Sequence, residues 1–190
     1  MSNRLETTLA LIDAANASDP AGEAVRYGER MTAALATFEP PASEPLRIAA
    51  RAQHIERWTI PRASYPEGRI AYLTWRKDLQ KLHARRTGEI MAEAGYGADE
   101  IARVGSLLRK ERLKQDAEAQ TLEDVICLVF LEHEAPAFIA KHDDDKVRDI
   151  LAKTSRKMSA RGLEAAGALP MDTRLARLLG EALALSPAQE

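Results

Sequence analysis

Apolar residues recur along this chain at spacings of three and four. No stretch alternates convincingly with period two, so the pattern predicts helices throughout. Leu5, Leu9, Leu11 and Ile12 mark a first amphipathic helix over 3–17, ended by Ser18-Asp19-Pro20. A second covers about 21–38 and stops before Pro40-Pro41. A third opens at Ser43, tolerates Pro45 in its first turn and runs to about Trp58. Residues 60–66 form a loop, because Pro61 and Pro66 each bias the preceding residue away from helix. A long helix follows over about 67–94, with Gly95 as its stop, then a helix over 98–111 and a polar connection over 112–120.

The longest apolar run is Val125-Ile126-Cys127-Leu128-Val129-Phe130-Leu131. Seven residues make about two helical turns, so apolar side chains point in every direction, as in a helix buried on all sides. Thr121 with Asp124 three residues later reads as a capping box opening this central helix, which puts Asp124 near its N-terminal end. The helix continues to about Glu134 and, past Pro136, to His142; Asp143-Asp144-Asp145 opens another reaching about Gly167, and 172–185 form the last. The expected fold is all-α: a single-domain helical bundle over 1–190, with 1–20 and 186–190 as ends that fray.

Composition narrows the class without naming a function. Hydrophobic residues make up 45% and charged residues 29%, ordinary for a soluble globular protein. The apolar run falls far short of the ~20 residues of a membrane span. Residues 1–20 lack a basic stretch followed by an apolar one, the pattern of a secretory leader. The single cysteine, Cys127, excludes an internal disulfide and, inside the apolar run, reads as a small hydrophobe; together these place the chain in the cytoplasm.

Charge changes the picture more. The net charge is −2, yet residues 51–114 hold 14 Lys and Arg against 8 Asp and Glu, a local net of +6. Five of the nine aromatic residues also fall there: Trp58, Tyr65, Tyr72, Trp75 and Tyr96. A basic, aromatic-rich segment suits an anionic partner, either a small phosphorylated or carboxylated ligand or a nucleic acid.

On a helical wheel Arg47, Arg51, His54 and Trp58 share one stripe, and on the long helix Arg69, Arg76 and His83 recur every seven residues. The second stripe borders an apolar face made by Tyr72, Trp75, Leu79 and Leu82, the margin at which a half-buried pocket finds its polar groups. Arg51, Arg62, Arg69 and Arg76 are the candidate anion ligands, with Trp58, Tyr72 or Trp75 as an apolar wall. His54 and His83 are candidate acid/base groups, and Asp124 a carboxylate to orient one of them. The same three residues are also a candidate metal set, since imidazole with carboxylate suits Zn, Fe or Mn.

Four phrases carry a resemblance. Residues 51–58, 60–66 and 72–76, with Thr121-Leu122-Glu123-Asp124-Val125, resemble the domain of unknown function 4202 family, which supplies no activity. The order of elements also resembles the HD-domain phosphohydrolases, helical enzymes built on histidines, an adjacent His-Asp pair and a final Asp. In that resemblance His54 matches the first His, His83 a later His, and Asp124 the last Asp, whereas Trp75-Arg76 stand where the pair is expected. It therefore implies an HD-like helical fold more than HD-type metal chemistry.

Three readings follow: a protein that binds an anionic small molecule, with hydrolysis of a phosphorylated one as the enzymatic version; a metal-dependent phosphohydrolase with a degenerate site, its divalent metal held by His54, His83 and Asp124; or a non-enzymatic module meeting an acidic protein or RNA. The sequence gives no oligomeric state.

Overall fold

In the computed structural model, which describes residues 3–184, ten α-helices and no strand occur among the described residues. The expected fraying at 186–190 lies outside the described residues. No helix among them is long and apolar enough to cross a membrane. The chain divides into two compact units, Met1–Leu122 and Glu123–Glu190, with the boundary inside one helix.

The first unit carries α1 (Asn3–Asn16), α2 (Glu23–Phe38), α3 (Glu44–Arg51), two single 3-10 turns (Arg57–Thr59 and Arg62–Ser64), α4 (Arg69–Glu93) and α5 (Ala98–Leu108). It also holds the start of α6 (Ala117–Val129). Within the segment expected to fray, residues 3–16 form α1. Leu5 and Ile12 of α1 are buried, and Arg4 is tied to Glu44 and Glu100. Ile48, Ile55, Leu79, Met91, Leu107 and Leu108 fill the core. α2 meets α3 where Gly28 allows it: a Cβ there would stand 3.0 Å from the Arg51 carbonyl oxygen.

Two expected boundaries are wrong in this unit, each for a long-range reason. The third helix ends at Arg51 rather than Trp58. Glu56 sits in the left-handed region at φ 50°, and its N–H is donated to the buried Asn16 side chain of α1 at 3.1 Å. Left-handed backbone disfavours a non-glycine residue by roughly 1–2 kcal/mol, a strain that such a fixed partner offsets. His54 and Trp58 therefore leave the stripe expected to hold them with Arg47 and Arg51.

The central helix likewise opens at Ala117, four residues before Thr121. Asp116 caps it, accepting from the N–H groups of Glu118 (3.0 Å) and Ala119 (3.1 Å), while Arg103 of α5 grips both Asp116 and Glu118. Asp124 thus lies two turns inside α6 and caps nothing of its own helix.

The second unit holds the rest of α6, a π-helical turn (Phe130–Glu134), α7 (Ala135–Ile139), α8 (Asp144–Ser155), α9 (Ala160–Gly167) and α10 (Thr173–Ala184). Pro136 has no N–H to give the Glu132 carbonyl, and the helix widens one turn ahead of it, with Ala135 donating to the Phe130 carbonyl. Most of the apolar run is buried, with Val125, Val129 and Leu131 fully covered, but Ile126 and Phe130 are only partly buried, so the helix is not enclosed on every side. α8 packs on α10, where Arg174 and Arg177 both hold Asp144. The single helix expected over 143–167 is two helices. The break comes at Ser159, whose hydroxyl caps α9 by accepting from the Gly162 N–H at 3.0 Å.

Candidate anion site

In the first unit the fold brings His54 and His83 together. Their ring centroids stand 6.2 Å apart, and Tyr27 of α2 stacks on His54 at 3.7 Å with the planes 16° apart. His54 reaches this place from the turns after α3, and His83 from the middle of α4. The pairing is anchored by the backbone: His83 Nδ1 lies 2.8 Å from the Ile55 carbonyl oxygen. A carbonyl only accepts, so Nδ1 carries the proton, and Nε2 of the neutral ring presents its lone pair. That Nε2 is buried and has no hydrogen-bond partner.

The electrostatic surroundings of the two imidazoles are cationic. Burial pushes the His83 pKa down to about 4, and Arg57 and Arg76 push the same way. His54 lies well below its usual range, through burial first and then Arg57, His83, Arg76 and Lys110. Both rings are therefore uncharged at neutral pH.

Arg76 is only half-buried, and its guanidinium donates to the Tyr72 hydroxyl at 3.1 Å. Arg57 lies over the Trp75 ring, 4.7 Å from its centroid. Tyr72, itself 40% exposed, meets Trp75 at 5.7 Å between centroids. Trp75 belongs to the core: it packs with Leu79 and Leu82 and donates its indole N–H to the Ile60 carbonyl at 2.8 Å. Trp58 occupies the first 3-10 turn, half-buried.

The other candidate arginines are placed elsewhere. Arg51 is committed to Asp13 of α1 through two bonds of 2.6 Å, with a third to Thr32. Arg62 donates to the Tyr65 carbonyl at 2.9 Å and closes its own turn. Arg69 is exposed at the start of α4, where it lines an open, mostly apolar depression of about 620 Å³ with Pro66, Gly68, Ile70 and Thr74. It precedes His83 by fourteen residues, about 21 Å along a helix. No single small ligand spans that distance, so the stripe Arg69, Arg76, His83 divides. Of its members only His83 stands beside His54, and Arg76 acts on both rings through its charge.

In the second unit, the Asp124 carboxylate is 2% exposed and accepts from the Ser159 N–H at 2.8 Å and the Ser159 hydroxyl at 2.6 Å. The hydroxyl proton thus points at Asp124 and the Ser159 lone pair at the Gly162 N–H. Asp124 orients the cap of α9.

The residues do not fit a divalent cation. Among the described residues no group of three or more His, Cys, Asp and Glu side chains is arranged to hold a metal. The charges acting on both imidazoles are arginines and a lysine, which repel a cation and favour an anion. Sequence reasoning missed Tyr27 and Arg57; the stacking of Tyr27 was not legible, because it depends on how α2 meets the turns after α3.

A family model described as Domain of unknown function (DUF4202) matches residues 6–179, so the chain belongs to that family. No curated protein matches the chain. No solved structure matches it either.

Proposed function

We propose that this DUF4202 protein binds a small anion, of the phosphate or carboxylate type, beside the His54–His83 pair, with Arg76 and Arg57 as the charged ligands. The observation that carries this reading is the sign of the field. The charges acting on two neutral imidazoles include the guanidinium groups of Arg57 and Arg76, and that of Arg76 meets a tyrosine hydroxyl rather than a carboxylate. By contrast Arg4, Arg51, Arg86 and Arg103, elsewhere in the same unit, are paired with carboxylates. A guanidinium beside an apolar aromatic wall is suited to charge-assisted, bidentate bonds with an incoming anion.

Binding is favoured over turnover by the His83 pKa of about 4. An effective general base has a pKa near the working pH, and a group about three units below is a weak one. The likeness to HD-domain enzymes enters this reading only through the placement of its histidines, without their metal.

The test is calorimetric titration of the protein with inorganic phosphate, sulfate and citrate. Arg76→Ala is expected to lower the affinity of whichever anion binds by about 1.5–3 kcal/mol, roughly 10- to 150-fold. Its stability should stay within ~0.5 kcal/mol of wild type, as for other partly exposed positions. Equal affinity in the variant sinks the assignment.

A further inference from the structure

Large apolar side chains left in water are few on this protein, and most of them gather at the start of α4. Of the four among the described residues, Ile70, Tyr72 and Leu73 stand within one helical turn, Ile70 being 84% exposed and Leu73 49%. The buried face of the same helix is already supplied by Trp75, Leu79 and Leu82. At ~100° per residue, Ile70, Leu73 and Lys77 point away from that face. The first turns of α4 are therefore apolar on two sides, and only one side is covered. A single exposed aliphatic residue is ordinary; a cluster of them bordering a depression marks a contact surface. Ile70 also lines the depression of about 620 Å³, together with Tyr65, Pro66, Gly68, Ala71 and Thr74.

Charge says what kind of partner fits. From Gly68 to Lys77 the chain carries Arg69, Arg76 and Lys77 and no carboxylate. Among the described residues neither Arg69 nor Lys77 has an ion-pair partner, whereas on the same helix Arg85 and Arg86 share Glu89 and Lys81 holds Asp78. The later turns of α4 neutralise themselves, and the first turns stay positive around their apolar residues. An apolar centre with charge of one sign at its rim is complementary to a partner with an apolar anchor and the opposite charge.

Three other occupants match these features less well. A second copy meeting this face through its own would set Arg69 and Lys77 against their like. RNA would answer the charge, but Ile70 and Leu73 give bases no ring to stack on. A lipid surface would take up the aliphatic groups, but it sends no anchor into a depression.

We infer that the start of α4 docks an acidic segment of a partner protein, whose bulky apolar anchor enters the depression beside Ile70 while its Asp or Glu side chains meet Arg69 and Lys77. The docking uses neither His54 nor His83 and does not require Arg76, so it is independent of the anion reading above.

The experiment selects short random peptides displayed on phage against the wild-type chain, with the double variant Ile70→Ser/Leu73→Ser as counter-target. Both positions are exposed, so this variant should keep its stability in urea within ~0.5 kcal/mol per substitution. Peptides with a Leu, Phe or Trp anchor flanked by Asp or Glu are expected to be enriched. A selected peptide, followed by fluorescence anisotropy, should bind the serine variant at least about tenfold more weakly, and Arg69→Glu/Lys77→Glu likewise. Its affinity for the wild-type chain should fall as salt is raised. Methyl NMR of the wild-type chain should show Ile70 and Leu73 moving with the peptide, a readout that needs no variant. No enrichment over the counter-target, enriched peptides without an acidic bias, or unmoved Ile70 and Leu73 methyls overturns the docking and leaves the anion site untouched. Binding to phosphatidylserine vesicles or to oligouridylate that the serine variant loses overturns it in favour of a membrane or RNA. A concentration-dependent dimer lost in that variant overturns it in favour of a second copy.

Discussion

Replacing Gly162 by alanine tests the reassignment of Asp124 directly. At most helical glycines alanine is stabilising, by up to ~1 kcal/mol, because it narrows the unfolded ensemble. Gly162, the third residue of α9, is different: a Cβ there would lie 2.6 Å from Asp124 Oδ1 and 2.7 Å from its Cγ. The carboxylate cannot swing away, since both its oxygens are tied to Ser159. Either a charge-assisted bond worth about 1.5–3 kcal/mol lengthens, or α9 shifts with an overpacking penalty of about 1–3 kcal/mol. After the propensity gain, a net loss of roughly 1–2 kcal/mol is expected. With a urea slope of about 2 kcal/mol/M, the midpoint falls by ~0.5–1 M.

Gly180 in α10 is the control, because nothing stands within 4 Å of its Cβ position. Gly180→Ala should raise the midpoint by a few tenths of a molar. The assay is urea unfolding followed by far-UV circular dichroism, with the slope checked for constancy. Asp124→Ala is destabilising by itself, but adding Gly162→Ala to it should cause little further loss, giving a coupling of at least ~1 kcal/mol in the double-mutant cycle. If Gly162→Ala stabilises as Gly180→Ala does, Asp124 is not where the α9 cap requires it.

Three other outcomes can be checked. Arg51→Ala should destabilise by about 2–3 kcal/mol in the same assay, because it leaves Asp13 without its bidentate partner; phosphate affinity should not change, which separates its structural role from that of Arg76. Folded His83 has a pKa of about 4 against an ordinary 6.5, so between those values the unfolded chain takes up a proton that the folded chain refuses. Stability from this group is complete above about pH 6.5 and lost as the pH falls to about 4, by roughly 3 kcal/mol in total. It should be read as the difference between wild type and His83→Gln, and a difference that does not vary across this window refutes the burial of a neutral ring. Arg103→Ala frees Asp116, whose pKa the guanidinium holds at about 2; the NMR titration of Asp116 should then move up toward the usual carboxylate range, and an unmoved titration would mean that the helix N–H groups alone hold it down.

The candidate site was legible in part. His83 and Arg76 share a face of α4 because seven residues are two turns, a fact independent of everything else in the chain. Their company with His54 required the turns after Arg51, and those turns require the Asn16 side chain forty residues earlier to take the Glu56 N–H. Arg51 looked equivalent to Arg76 as a basic residue at a core margin. What distinguishes them is Asp13 on another helix.

By itself the sequence decided the helical class, the burial of most of the apolar run (Val125, Cys127, Leu128, Val129 and Leu131) and the long face of α4, because each follows from the distribution of apolar residues along one helix. It also placed most helix stops, since proline and glycine act on their own backbone. Only the tertiary structure decided which of several carboxylates caps which helix. Thr121 with Asp124 reads as a capping box and Asp116 as a plain N-cap residue, so either could open α6. Arg103 reinforces the second, and Ser159, 35 residues away, takes the carboxylate of the first. A cap is a short-range geometry chosen by long-range partners, so sequence spacing could enumerate the candidates and packing had to choose between them.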